Sequence, residues 1–304
     1  MENPMSAERD NLLDRRRLKR KLNLWQGGAL LLLAILVIAG ASTMTRSDQP
    51  HIARITLSGM IVDDFEREEI LQKLAISEDA KGVIVRINSP GGTVAASEAL
   101  FNNLLLISEA KPTASFIATI GASGGYIAAL GTNRIFVRQN SLTGSIGVLF
   151  QSPEFSGLLE MVGITIEEVK SSPLKGGPSG YAPMSDDQRA VMRQMIDDSN
   201  KWFVDLVAQR REMDWETASR LADGSIYTGG RAVDNNLVDE IGNEKAAIDW
   251  LRAQEGVGED LPVVDYHPKK NRPLLDGLLS MLGFDGLTNS RLTLDGLLAL
   301  WQPM

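Results

Sequence analysis

Ser123 stands in the stretch GASGGYIAAL, Gly121 to Leu130, where an apolar strand ends and a helix begins among small residues. Two readings fit that place. Ser123 is a helix N-cap, its hydroxyl accepting a hydrogen bond from an orphan N–H of the first turn, or it is a nucleophile presented at a strand-to-helix corner. A serine hydroxyl is inert at neutral pH unless a neighbouring base takes its proton. The chain has no cysteine, and its two histidines, His51 and His267, lie near opposite ends of the folded region, which argues against thiol, metal and histidine-triad chemistry. No cofactor is implied. Lysine is the remaining strong base, and a lysine serves only when neutral, which requires desolvation. VKSSPLKGG supplies Lys170 and Lys175 as candidates, although a lysine met at random is a solvated surface charge. Acyl chemistry also needs two N–H groups aimed at the oxygen of the scissile carbonyl. NSPGG, Asn88 to Gly92, is either a loop whose bare backbone can approach a substrate or a plain type II turn.

These residues need elements to position them. IARITLSGMI alternates as a strand does, and DDFEREEILQKLAISED has helical spacing with acidic residues at its start. KGVIVRINSPGG predicts a buried strand ending in a turn, VAASEALFNNLLLISEA a helix, PTASFIATIG a strand and GGYIAALGT a second helix start. NRIFVRQNSLTGSIGVLF adds strand material. The alternation predicts an α/β fold of parallel strand–helix units, with function at the carboxyl ends of the strands, where both glycine turns fall. Beyond Asp186 a long amphipathic helix, then GGRAVDNNLVDEIGNEKAAIDWLRAQ as a turn and a helix, and LPVVDYH as a last strand, complete the body. The leucine-rich tail repeats LDGLL at Leu275 to Leu279 and Leu294 to Leu298; it reads as an amphipathic helix or as a surface for a partner or a membrane.

The N-terminus is a different kind of segment. Residues 22–45 carry no charge and are long enough to cross a hydrocarbon layer of about 30 Å as a helix. The basic run RRRLKRK, Arg15 to Lys21, predicts a cytoplasmic N-terminus, with everything after Arg46 exported. A removable signal peptide is the competing reading, with AGA at Ala39 to Ala41 as its cleavage site, but the apolar run exceeds the usual h-region. Residues 1–46 hold eight basic and four acidic residues, net +4, so the remainder carries −12 of the total −8. An acidic body argues against nucleic acid as a partner.

RINSPGGTVAASEAL, GASGGYIAAL, LTGSIGV and KSSPLK, followed by GGRAVDNNLVDEIG, stand in the order and spacing of the bacterial signal peptide peptidase A family. From about Ile52 to Leu251 the chain resembles the short, single-domain form. The resemblance implies a Clp protease/crotonase-like spiral of ββα units preceded by one transmembrane helix. It makes Ser123 the nucleophile and Lys175 the base, 52 residues on; Ser145, 22 residues on, would orient the base. The N–H groups of Gly92 and Gly124 would form the oxyanion hole. The resemblance further implies a homo-oligomeric ring whose lysine arrives from the neighbouring protomer. Gly176 and Gly177 follow Lys175 where some relatives carry an acidic residue.

The expected organisation is a cytoplasmic basic segment over 1–21, an anchor over 22–45, a linker over 46–51, a peptidase domain over 52–260 and a tail of unassigned role over 261–304. The expected activity is an inner-membrane serine endopeptidase, its body on the periplasmic side, cutting short apolar peptides such as signal-peptide remnants. A catalytically idle scaffold of the same fold and a crotonase-type acyl-CoA enzyme are the alternatives. An exported domain does not meet coenzyme A, and an idle site has no reason to keep both serines and the lysine.

Overall fold

The computed structural model describes residues 25–28, 30–31, 49–267 and 298–300. The chain divides into two compact units, Met1–Gln49 and Pro50–Met304. In the first, residues 25–28 and 30–31 are helical and exposed, and the rest of the expected anchor lies outside the described residues. Among the described residues no helix is long and apolar enough to cross a membrane.

The second unit opens with β1 (His51–Ser58), α1 (Phe65–Ile76), β2 (Ala80–Ser89), β3 (Gly91–Thr93), α2 (Val94–Ala110), β4 (Thr113–Ala122) and α3 (Gly124–Leu130). It continues with β5 (Arg134–Val137), β6 (Leu142–Gly144), α4 (Ser156–Met161), α5 (Asp186–Arg210) and α6 (Trp215–Leu221). The last elements are β7 (Ile226–Thr228), α7 (Gly229–Asp234), β8 (Glu240–Ile241), α8 (Glu244–Arg252), β9 (Val263–Tyr266) and β10 (Leu298–Leu300).

The main sheet is α/β and mixed. Its order is β7-β6-β4-β2-β1-β9, with β5 also on β4 and β8 on β5. All pairings are parallel except β6 with β7, so the expected parallel units account for most of the sheet and β7 departs from them. Strand β9 lies beyond the expected domain end at 260 and joins the same sheet beside β1.

Alternation along the strands builds two cores. Val83, Val85 and Ile87 of β2 face a cluster with Leu100, Leu104 and Ile107 of α2 and Phe203 and Val207 of α5. Ile84 of β2 and Phe116 of β4 face the other side, against Ala247 and Leu251 of α8. Each such side chain, fully buried, is worth about 1.5–3 kcal/mol. Helix starts are chemically marked: Asp64 accepts from Arg67 N–H, Thr93 from Ala96 N–H, and Ser185 with Gln188 forms a capping box.

One edge of β4 is shared. Ala114–Ile117 pairs with β5, whereas Ile120–Ala122 pairs with β6. At the fork between them the buried Ser141 hydroxyl donates to the carbonyls of Ile117 (3.2 Å) and Ala118 (2.7 Å), which ties the connection to the backbone between the two pairings.

Candidate active site

Strand β4 delivers Ser123 just past its end. The residue has φ 52° and ψ −117°, a conformation that costs a side-chain-bearing residue about 1–3 kcal/mol. Three hydrogen bonds hold it there. Its N–H donates to the Gly144 carbonyl at 2.8 Å, and its own carbonyl accepts from Tyr126 and Ile127, both at 2.9 Å. Its neighbours must be small: a Cβ at Gly121 would lie 2.9 Å from the Ile117 side chain, and one at Gly125 would lie 2.8 Å from the Ser89 carbonyl. Helix α3 is wholly buried and is pinned by Tyr126, whose hydroxyl donates to the Leu237 carbonyl at 2.6 Å. Burial pushes that phenol well above its ordinary pKa.

Ser123 sits at the N-cap position of α3 yet its side chain makes no capping bond, which overturns the N-cap reading. Its Oγ is buried and has no hydrogen-bond partner among the described residues. An unsatisfied buried hydroxyl costs about 1–3 kcal/mol. Strained backbone and orphaned hydroxyl together mark a residue kept for something other than stability.

Ser145 is its counterpart. Ala122 of β4 pairs with Gly144 of β6, so the two serines are the next residues along adjacent parallel strands, whose spacing is about 5 Å. Ser145 is also buried, with φ 50°, and its N–H donates to the Ser225 carbonyl at 2.8 Å. The structure thus brings Ser123 and Ser145 together.

Asn88 to Gly92 is not a plain turn. Gly91–Thr93 forms the short strand β3, on one side of which the Gly91 carbonyl accepts from Ile61 N–H (2.8 Å) and Thr93 N–H donates to the Ile61 carbonyl (3.0 Å). Any Cβ at Gly92 would overlap that carbonyl, so no other residue fits. Ser89, opposite Gly121 across a register shift between β2 and β4, accepts the Gly91 N–H on its hydroxyl at 3.1 Å. This seats the Gly92 loop beside the Ser123 corner. Gly124, as the first residue of α3, has an N–H with no acceptor within its helix.

The lysines stand elsewhere. Lys170 pairs with Glu168 at 2.6 Å, and Lys175 is exposed in a turn where its N–H donates to the Ser172 carbonyl. Neither reaches Ser123 Oγ within the protomer. His51 bonds Tyr266 at 2.8 Å at the amino end of β1, and Ser123 lies past the carboxyl end of β4. Because β1, β2 and β4 run parallel, the histidine is roughly 25 Å from the serine along the strands. Ser89, the Ile61 carbonyl and the Ser225 carbonyl were not legible as parts of the site. Only Ser89, inside the NSPGG stretch, carried a local signal.

Residues 106–258 match the family described as Peptidase family S49. A candidate protease of Synechocystis, slr0021, is 34% identical over 72% of this chain and 79% of its own length. A candidate signal peptide peptidase SppA of Enterococcus faecium is 33% identical over 71% of this chain and 66% of its own. A chloroplastic serine protease SPPA of Arabidopsis thaliana is 28% identical over 76% of this chain, which spans only 35% of that protein. Among solved structures, a mutant ClpP1 from Listeria monocytogenes aligns with a TM-score of 0.43 at 15% identity, over 64% of this chain and 94% of that one.

Proposed function

We propose, for a chain that belongs to peptidase family S49, a membrane-anchored serine endopeptidase that cleaves short apolar peptides, such as signal-peptide remnants, with Ser123 and Lys175 as its dyad. The observation that carries this reading is the buried Ser123 Oγ, without a hydrogen-bond partner among the described residues, on a strained corner between β4 and α3. In the proposed reaction the lysine amine takes the Oγ proton as Oγ bonds to the scissile carbonyl carbon. The oxyanion is received by the N–H groups of Gly92 and Gly124. Collapse breaks the C–N bond, the leaving amine takes the proton, and water then hydrolyses the acyl-enzyme by the reverse transfer. Ser145, beside Ser123, orients the lysine amine.

Lys175 arrives from a neighbouring protomer. What supports this is the segment that bears it: Met161, Val162, Ile164, Ile166, Val169 and Leu174 are all exposed, which is an apolar surface fit for a second copy of the chain. Packing there would also supply the desolvation that a lysine base requires. The uncharged run over 22–45 behind its basic flank supports an inner-membrane anchor with the body on the exported face.

The test mixes two inactive proteins. Ser123→Ala and Lys175→Ala subunits, dissociated and reassembled together, regain part of the activity on an apolar peptide ester, because some interfaces pair an intact serine with an intact lysine. No activity at any mixing ratio, with each parent oligomer intact, refutes the shared dyad. Failure of a serine-directed fluorophosphonate to label Ser123 in the wild-type chain refutes the peptidase reading altogether and leaves the idle scaffold.

A further inference from the structure

Ser123 and Ser145 both have positive φ, and each is held through its N–H by a carbonyl one strand further along the sheet. Ser123, past the end of β4, donates to the Gly144 carbonyl of β6 at 2.8 Å; Ser145, past the end of β6, donates to the Ser225 carbonyl just before β7 at 2.8 Å. The second bond continues a ladder. Gly144 is the register partner of Ile226, so Ser145 stands opposite Ser225 one step on, and beyond it Gly224 N–H reaches the Ile146 carbonyl at 3.2 Å.

In an antiparallel pair joined by such a bond, the partner's N–H returns to the first residue's carbonyl, so that the two residues exchange both bonds. Ser225 N–H instead donates to Asp223 Oδ1 at 2.8 Å. This closes a turn on its own side of the ladder, in which a carboxylate takes the N–H two residues on, around Gly224 at φ 83°. Hydrogen bonds from the Ser225 side chain and N–H hold the Asp223 carboxyl below the usual carboxylate range. The acceptor is therefore ionised, and a stronger one than the neutral carbonyl it replaces.

The diverted bond bears on Ser145. Completing the pair would draw its peptide into the extended conformation of a strand, where φ is negative and the side chain alternates with its neighbours across the sheet. With the Ser225 N–H engaged by Asp223, Ser145 keeps φ 50° beside Ser123. Asp223, Gly224 and Ser225 are all exposed, so the carboxylate contributes nothing to the packing of the core.

We propose that Asp223 is a positioning residue: by withholding the Ser225 N–H from Ser145, it keeps Ser145 in the backbone conformation from which its hydroxyl orients the lysine amine. The proposal rests on the peptidase reading, in which Ser145 has that task.

The test uses full-length chains carrying Asp223→Ala, which frees the N–H, or Asp223→Asn, whose side-chain oxygen accepts it again, each alone and with Ser145→Ala. On an apolar peptide ester Asp223→Ala lowers kcat by about 10²-fold, as Ser145→Ala does, and leaves KM and the denaturant unfolding midpoint unchanged. Asp223→Asn regains most of kcat. In the Ser145→Ala chain, Asp223→Ala costs nothing more, because the residue it positions is already gone. Wild-type kcat in Asp223→Ala, or a full further loss on top of Ser145→Ala, overturns the positioning; if Ser123 still labels with fluorophosphonate, the peptidase reading stands without it. A loss of kcat that comes with a lowered unfolding midpoint and is not restored by Asp223→Asn also overturns it, because an aspartate that only supports the fold gives that result. A wild-type chain that neither hydrolyses the ester nor labels at Ser123 overturns the peptidase reading and this proposal with it.

Discussion

The sheet body and the segment from 151 to 201 are built on opposite terms. In the body, β2 and β4 are buried on both faces and α3 has no exposed residue, whereas between 151 and 201 only Gly180 is buried. The segment is no less apolar for that: Val169 is 97% exposed and Met161 83%. Helix α5 shows the change within one element, with Val191 and Met195 exposed in its first half and Phe203, Val204, Leu206 and Val207 buried in its second. The difference teaches that the candidate nucleophile is held by a core complete in itself. The candidate base rides on an exposed apolar surface.

The sharpest way to break this contrast is at the two ends of the proposed dyad. Ser123→Ala and Lys175→Ala each lower kcat/KM on a peptide ester by at least about 10³-fold, and the double variant is no worse, because the pair acts as a unit. Lys170→Ala stays near wild type. Loss of activity in Lys170→Ala with retention in Lys175→Ala would move the base and detach it from the 52-residue spacing.

Stability should divide along the same line. Leu104→Ala, in the main core, destabilises the chain by about 2–5 kcal/mol in denaturant unfolding. Val169→Ala leaves monomer unfolding within about 0.5 kcal/mol but weakens self-association in sedimentation and makes activity fall on dilution. Equal losses of monomer stability in both would mean that the exposed segment packs on its own body after all.

The smallest effect tests how far the body is finished at its edge. Arg54 on β1 bonds Asp265, its register partner on β9, through Nη2 at 2.8 Å, and this bond holds the Asp265 carboxyl below the usual carboxylate range. A depressed carboxylate contributes stability that is present above the unfolded pKa of about 3.9 and is lost as pH falls through the folded value. The Asp265 side chain is 41% exposed, so Asp265→Asn costs less than about 1 kcal/mol at pH 7 and flattens the loss below about pH 4. Unfolding curves at pH 7 and pH 3 measure both.

Much of this was legible in the chain before its structure. The strand–helix alternation from Ile52 to Leu130 follows from periodicity, and the small residues around Ser123 exposed the corner. Of the two readings of Ser123 the N-cap failed because serine's preference for helix starts concerns residue type, whereas the backbone of Ser123 is set by the Gly144 carbonyl on another strand. Strand β3 escaped notice because three residues beginning Gly-Gly have no period to read, and it exists through Ile61 and β10. For the same reason Leu298–Leu300, whose leucines suggested a helix, is a strand: its partner lies some two hundred residues away.

The fork in β4 has a practical meaning for anyone altering this protein. A strand that leaves one neighbour and takes up another separates what happens along its lower half from what happens at its tip. The connection from Val137 to Leu142 passes over that division, clipped to the carbonyls beneath by the Ser141 hydroxyl and to α7 by the Gln139 and Ser141 carbonyls, which accept from Gly230 and Gly229 N–H. Residues inserted after Asn140, which is exposed, lengthen a surface loop without a shift in the register of β6 on Ile120–Ala122. The same insertion after Gly144 would pull away the carbonyl that holds Ser123 N–H. Two sites four residues apart therefore differ as places to splice a tag or a domain, and Ser141, held through both its hydroxyl and its carbonyl, lies between them.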